Sequence, residues 1–156
     1  MTSSKSNLQA TRTDAKIPHW PIHSEQAEKI LNESGSLKIA VVGDFCLDVY
    51  LKLDTSESEL SLETGLPTRS VVEQRYSLGG AGNVAANLIS LGCENVYAFG
   101  VIGNDPYGHE LRRKLNDFGI NNTGIQVQHS TWDTCTYTKL LEKSTSGVEE
   151  TNRIDY

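Results

Sequence analysis

The sequence predicts an α/β fold in which helices flank a parallel sheet. The basis is threefold: short apolar runs, helical spacing of the apolar residues between them, and glycine or Asp-Pro where those helices should begin. The expected strands lie at residues 37–42, 96–102 and 125–127. Because strands that alternate with helices form right-handed βαβ units, these strands should run parallel.

The helices between these strands carry apolar residues at positions i, i+4 and i+7. They are Val84, Leu88 and Leu91 after the glycine-rich run 79–82, and Leu111, Leu115 and Phe118 after Asp105-Pro106. We expect these six side chains to face the core. Ser24 begins a further short helix, whose Ile30 and Leu31 are expected to pack on the main body.

Two other segments have the alternating pattern of one-sided strands, near residues 47–53 and 68–77. They are predicted to lie outside the parallel core as a small, exposed β lid. Such a lid would project from the strand ends, where open α/β sheets bind ligands.

The chain of 156 residues is long enough for one domain. Residues 1–20 are mostly polar and are predicted to form a disordered N-terminal arm. Residues 21–156 are predicted to form a single domain or part of one.

The overall charge and composition exclude several classes of partner. A net charge of −6 argues against nucleic acid and anionic membranes. The three cysteines form no C-x-x-C pair, so no zinc site and no disulfide framework are expected. Without a signal peptide or a run of 18 apolar residues, a soluble, cytoplasmic protein that binds a small molecule is predicted.

The segment 78–87 (L-G-G-A-G-N-V-A-A-N) is the strongest indication of a binding site. Its small residues let a ligand approach the backbone, and the Asn83 amide can donate and accept at once, as a vicinal diol requires. The same letters match the dinucleotide fingerprint G-x-G-x-x-[GA], which favours a nicotinamide-type oxidoreductase. That interpretation is weaker, because the preceding segment is polar and no carboxylate ends the next strand.

Three stretches together resemble the N-terminal half of the PfkB/ribokinase family of carbohydrate kinases. They are residues 42–48 (V-G-D-F-C-L-D), the glycine-rich segment, and residues 100–108 (G-V-I-G-N-D-P-Y-G). The resemblance runs from about residue 37 to residue 156. It implies a ribokinase-like, Rossmann-like three-layer fold with a projecting β lid.

Within that family the chain looks most similar to the heptose 7-phosphate kinases. Their G-D-x-x-L-D, P-G-G-A-x-N-V-A and R-x-D-[FY] patterns correspond to residues 43–48, the glycine-rich segment and residues 153–156. Leu78 departs from the pattern, since those kinases usually carry proline there. Residues 63–67 (E-T-G-L-P) also differ from their S-P-E-A-P stretch.

The resemblance also suggests which residues bind the sugar. Asp48 would accept hydrogen bonds from sugar hydroxyls, beside the glycine-rich turn. Lys139 and Arg153 are either phosphate contacts of a phosphorylated sugar or solvated charges. The full predicted set is Asp48, Gly79, Gly80, Ala81, Gly82, Asn83 and Lys139. Gly103, Asp105 and Gly108 are expected to be structural.

No catalytic residue is predicted in this chain. Kinases of this family bind ATP and Mg²⁺ and deprotonate the acceptor with residues of their C-terminal half, in a G-A-G-D segment that this sequence does not contain. The chain is therefore expected to be a truncated domain, inactive alone, with a possible homodimer contact through the lid strands. The alternatives are a noncatalytic sugar-binding or regulatory module, or the dinucleotide-binding domain.

Overall fold

The computed structural model describes residues 23–54, 56, 58–144 and 147–156. The predicted disordered arm, residues 1–20, lies outside this range. In chain order the elements are α1 (Ser24–Ser34), β1 (Lys38–Val42), β2 (Phe45–Asp54), β3 (Ser70–Gly79), α2 (Gly80–Ser90), β4 (Asn95–Gly103), α3 (Pro106–Asp117), β5 (Asn121–Gln128), β6 (Thr136–Ser144) and β7 (Gly147–Asp155).

The first sheet contains three strands, in the order β1-β4-β5, and all of them run parallel. Helix α2 precedes β4, and α3 connects β4 to β5. This is the βαβ arrangement that the alternation of apolar strands and helices predicted.

The second sheet contains four strands, in the order β3-β2-β6-β7. β2 pairs antiparallel with β3 and parallel with β6. The two segments predicted to form the lid, now β2 and β3, pair with each other. β6 and β7 add two further strands to this sheet. Both edges of β2 are therefore occupied, and β3 forms one edge.

The prediction that residues 47–53 lie outside the core is wrong for the first half of β2. The Leu47 side chain is 0% exposed and that of Val49 is 1% exposed. Helix α3 packs against β2 and β3 as well as against β4 and β5, so one core extends between the two sheets. The alternation of β2 was recognised correctly, but its apolar face is covered by helices α2 and α3 instead of being exposed.

Helix α2 buries a different face from the predicted one. Val84 and Leu91 are exposed, whereas its buried residues are the small ones: Gly82, Ala85 and Ala86. A Cβ on Gly82 would lie 3.2 Å from that of Leu78, which shows how closely the helix approaches β3. Small residues allow this approach, while Leu88, one of the predicted residues, and Ile89 are half-buried against the core.

The apolar residues of the other two helices match the predictions in part. Leu111 and Leu115 of α3 are fully buried, while Phe118 at its end is 44% exposed. The expectation that α1 packs on the main body is wrong: it has no buried residue, and Ile30 is 58% exposed. In the part of the chain that the structure describes, no helix has the length and apolar character needed to cross a membrane.

The face of the parallel sheet opposite α2 and α3 carries exposed apolar side chains. Val42 is 77% exposed, Phe99 42% and Val101 39%. Parallel sheets are normally covered by helices on both faces. Among the described residues, this face, which we call the bare face, has no such layer.

Asp105 joins the start of α3 to the loop before β6. One carboxylate oxygen accepts the Gly108 N–H at 2.8 Å, which caps the helix, and the other accepts the Thr134 N–H at 2.8 Å. Burial disfavours the charged form, but these backbone hydrogen bonds outweigh it and lower the pKa of Asp105. The structural role predicted for Gly103, Asp105 and Gly108 agrees with this geometry.

Replacing Asp105 by alanine is expected to lower the free energy of unfolding by about 2 kcal/mol at pH 7, because both hydrogen bonds are lost. Since the folded pKa is lowered, the carboxylate stabilises the fold above the ordinary aspartate pKa of about 3.9. This stabilisation is lost as the pH falls through the folded pKa. Urea denaturation between pH 7 and pH 3 measures both effects.

Asp105→Asn keeps one acceptor oxygen, so its loss of stability at pH 7 should be smaller. Because the amide does not titrate, this variant should lack the fall in stability at low pH that the Asp105 carboxylate causes in the unmodified chain. Asp117→Ala removes an exposed carboxylate from the end of the same helix and serves as the control. An Asp105→Ala protein as stable as Asp117→Ala at pH 7 would contradict the assignment.

Gly80 occupies a backbone conformation that only glycine adopts easily, with φ of +52°. A Cβ there would also lie 2.5 Å from the carbonyl oxygen of Asp44. Gly92 has φ of +94° but no atom within 4 Å of the same position. Gly92→Ala should therefore cost about 1 kcal/mol from backbone strain alone, and Gly80→Ala about 1–3 kcal/mol more from the clash. Thermal unfolding of the two variants measures the difference, and equal losses would contradict it.

Candidate functional site

The glycine-rich turn and Asp48 lie side by side. A Cβ on Gly79 would be 3.3 Å from the Asp48 carboxylate and 2.7 Å from the Cys46 sulfur. This proximity follows from the pairing of β2 with β3, which sets Cys46 opposite Gly79 and Asp48 opposite Ser77. The two features that the sequence singled out are thus brought together.

Asp48 belongs to a polar network on the outward face of the second sheet. The Lys139 ammonium lies 3.3 Å from the Asp48 carboxylate and donates to the Tyr50 hydroxyl at 3.3 Å. The Arg75 guanidinium stacks on the Tyr50 ring, 4.1 Å from its centroid. We call these four residues the lid network; cross-strand pairing of β3, β2 and β6 places Arg75, Tyr50 and Lys139 in one row.

Lys139 is held as a cation within the lid network. Burial disfavours its charge, but hydrogen bonds to Tyr50 and Asp48 and the charge of Asp48 outweigh burial and raise the pKa of Lys139. Arg153, the other predicted phosphate contact, makes two hydrogen bonds to Asp155 and lies over the Tyr137 ring at 5.2 Å. Neither cation is simply solvated.

A cleft of about 380 Å³ opens beside Asp48, where the end of β1 meets the second sheet. Its walls come from the β1–β2 turn, the glycine turn, the loop before β6 and the chain end: Asp44, Phe45, Cys46, Gly80, Val101, Trp132, Asp133, Cys135, Tyr137 and Tyr156. Asp48 and Lys139 are not among them. They border the cleft, because Cys46 precedes Asp48 on the same strand face and Tyr137 pairs with Asp48.

The chemical character of the cleft is acidic and aromatic. Asp44 and Asp133 are exposed carboxylates, which act as hydrogen-bond acceptors, and Trp132, Tyr137 and Tyr156 contribute ring surfaces. Cys46 lies at the base. Burial, then the nearby Cys135 and Asp48, raise the pKa of the Cys46 thiol to about 11, so it stays protonated and unreactive at neutral pH.

Several residues of the predicted site lie elsewhere or have other partners. Asn83 is exposed and lines a separate hollow with Tyr76 and Phe118, between α2, β3 and α3. Gly82 is buried against Leu78. The Ala81 N–H donates to the Asp44 carbonyl at 2.9 Å, so it is engaged within the protein. Sugar binding by these three residues remains a prediction.

The loop before β6 was missed by the sequence reasoning. Trp132 and Asp133 lie in it and line the cleft, because Asp105 and Gly103 hydrogen-bond to the adjacent Thr134. An aromatic-acid pair in a polar loop after a core strand is a signal that could have indicated them. Asp44 lines the cleft, and its backbone carbonyl accepts the Ala81 N–H in the turn between β1 and β2.

The dinucleotide interpretation is not supported by the geometry. Its fingerprint requires a buried parallel strand directly before the glycines. Here β3 precedes them, and it is an antiparallel edge strand whose first six residues are exposed. Among the described residues, no three His, Cys, Asp or Glu side chains are grouped so that they could hold a metal ion.

Solved structures with the same fold include sugar kinases. A carbohydrate kinase from Agrobacterium tumefaciens matches 76% of this chain with a TM-score of 0.57 and 23% identity. A ribokinase from Arabidopsis thaliana, solved with ribose and ATP, matches 76% with a TM-score of 0.55 and 20% identity. In each case this chain spans 35% of the solved one.

Curated relatives point the same way. The bifunctional protein HldE of Geobacter sulfurreducens is 33% identical over 117 residues, and that of Helicobacter acinonychis is 41% identical over 91 residues. These alignments cover 75% and 58% of this chain, but only 23% and 19% of the relatives, so the chain spans about a fifth of their length. The model of the pfkB family carbohydrate kinases matches residues 36–152, and the chain therefore belongs to the PfkB family.

Proposed function

We propose that this chain is the sugar-recognition part of an ATP-dependent carbohydrate kinase. The observation that carries the proposal is the cleft of about 380 Å³, in which the glycine turn meets two carboxylates and four aromatic residues. Its volume falls within the roughly 300–1,000 Å³ of pockets that hold small organic ligands. Membership of the PfkB family supplies the reaction class, which is phosphoryl transfer to a sugar hydroxyl.

The cleft suits a polyhydroxylated ring. Sugar hydroxyls are hydrogen-bond donors, and the ionised carboxylates of Asp44 and Asp133 accept more strongly than neutral groups do. Trp132 and Tyr137 offer apolar surface to the C–H face of the ring. Gly80, which carries no side chain, leaves the backbone accessible at the cleft wall.

The lid network extends this recognition beyond the cleft. Asp48 would accept from a hydroxyl that reaches the rim, beside Gly79. The Lys139 ammonium lies 3.3 Å from the Asp48 carboxylate, and Arg75 lies over Tyr50, two residues further along β2. These two cations favour a phosphorylated sugar. Together with the motif resemblance, this supports heptose 7-phosphate as the candidate substrate.

ATP and Mg²⁺ would be bound, and the catalytic base supplied, by the part of the kinase fold that this chain does not contain. Phosphoryl transfer requires the nucleotide, the metal ion and the base to be positioned together. The bare face around Val42 and Phe99 is consistent with a further layer of that fold. A homodimer through the lid strands would use β3, whose Val71 and Val72 are exposed, since both edges of β2 are occupied.

Asp48→Asn should weaken sugar binding about 10-fold to 100-fold, because a hydrogen bond to a charged group contributes about 1.5–3 kcal/mol. Isothermal titration calorimetry with hexoses, pentoses and heptose 7-phosphate provides the measurement. Asp54→Asn is the matched control, since Asp54 ends the same strand, points to the same face and hydrogen-bonds only to Ser56 among the described residues. An Asp48→Asn protein that binds sugar like Asp54→Asn would contradict the role of Asp48.

The chain alone should show no sugar-dependent consumption of ATP, because it lacks the nucleotide and base segments of the family. A coupled assay of ADP release with the same sugars tests this. ATP turnover that rises with sugar concentration would contradict the proposal that the nucleotide and base segments are not part of this chain. NAD binding without any sugar binding would instead favour the dinucleotide-binding domain.

The second candidate function is a noncatalytic sugar-binding module. It is favoured by one combination of features: the cleft offers carboxylates and aromatic rings to a sugar, while the sequence contains no G-A-G-D segment. Supplying the C-terminal half of a related PfkB kinase in trans distinguishes the two functions. Restored phosphoryl transfer supports the kinase part, whereas sugar binding that never leads to transfer supports the module.

A further inference from the structure

A second hollow lies at the carboxyl end of the parallel sheet and shares no residue with the sugar cleft. Its volume is about 250 Å³. The ends of β4 and β5 and the first two turns of α3 form its walls, through Ile102, Asn104, His109, Arg112, Val127 and His129. Open α/β sheets bind ligands at this edge, where loops from neighbouring strands converge.

The polar groups of this hollow are donors and cations. His109 and Arg112 are three residues apart on α3, so they project from the same helix face. His129 approaches from the end of β5, and Asn104 from the end of β4. No carboxylate is among the lining residues, although the whole chain carries a net charge of −6.

Arg112 has no ion-pair partner among the described residues, unlike its neighbour. The Arg113 guanidinium is bonded to Glu110 at 2.7 Å and to Asp117 at 2.8 Å. Arginine presents five N–H donors in a planar fork that matches the oxygens of a phosphate group. Arg112 is thus the cation in this region that is free to bind a ligand.

The surrounding backbone is well fixed. The Asn104 N–H donates to the Gln128 carbonyl at 2.9 Å, which ties the β4–α3 loop to β5. Asp105, at the start of α3, directs its oxygens to the Gly108 and Thr134 N–H groups and does not line the hollow. The amides at the helix start are therefore engaged, and a ligand would be held by side chains.

From this arrangement we propose that the hollow is an anion site, in which Arg112, His109 and His129 bind the phosphate group of a small ligand. Donors from three elements surround the hollow, as the several oxygens of a tetrahedral phosphate require. The volume lies below the roughly 300–1,000 Å³ of pockets for drug-sized ligands, so the ligand is inorganic phosphate or a small phosphate ester.

The test is a titration of the full chain with inorganic phosphate at pH 7, followed by NMR of the histidine side chains at constant ionic strength. The signals of His109 and His129 should shift along one saturable curve, while that of His23 stays in place. Glycerol phosphate in a parallel titration distinguishes the two sources: the tighter ligand identifies the form that is bound.

Arg112→Gln should weaken phosphate binding at least 10-fold. Arg113→Gln, a change of the same type at the next position, should leave it within twofold. Arg112 is exposed on the surface of α3, and the Arg113 side chain is 57% exposed. Both variants should therefore fold. Equal phosphate affinities of the two variants, equal shifts of all histidines, or acetate binding as tight as phosphate would each overturn the proposal. None of these results bears on the sugar cleft, because the lining residues are different.

Discussion

The hydrogen bonds of the Asp105 carboxylate hold the two functional parts of this molecule in place. One oxygen caps α3 and the other fixes Thr134, whose hydroxyl in turn accepts the Gly103 N–H at 3.0 Å. Thr134 is flanked by residues that line the cleft. One side chain thus sets the orientation of α3, the end of β4 and the wall of the cleft. Residues 103–108 therefore have a structural role on which the cleft depends.

In the proposed function, the cleft and the lid network would each contribute a different part of sugar recognition. Within the cleft, Asp44 and Asp133 are exposed carboxylates that can accept from hydroxyls, and aromatic rings complete the wall. On the lid, Asp48 is already partnered by Lys139, so a ligand that reaches it meets a neutralised pair.

Most of the fold could be predicted from the sequence, because apolar periodicity reports strands and helices directly. The parallel strands, the βαβ order and the burial of Leu111 and Leu115 follow from it. The buried face of α2 does not, since small residues such as Ala85 carry a weak apolar signal. For the site, the meeting of Asp48 with Gly79 was predictable from motif resemblance. Trp132 and Asp133 are indicated only weakly, by their residue types in a polar loop, because their position depends on the long-range hydrogen bond from the Thr134 N–H to Asp105.

The bare face and the cleft share a boundary. Val101, Trp132 and Asp44 belong to both. Any protein layer that covers Val42 and Phe99 would therefore also become a wall of the cleft and exclude water from one side of it. Hydrogen bonds strengthen as their surroundings become less polar. The carboxylates would therefore bind a sugar more strongly when that layer is in place. Covering the bare face and strengthening the proposed sugar binding would then occur together.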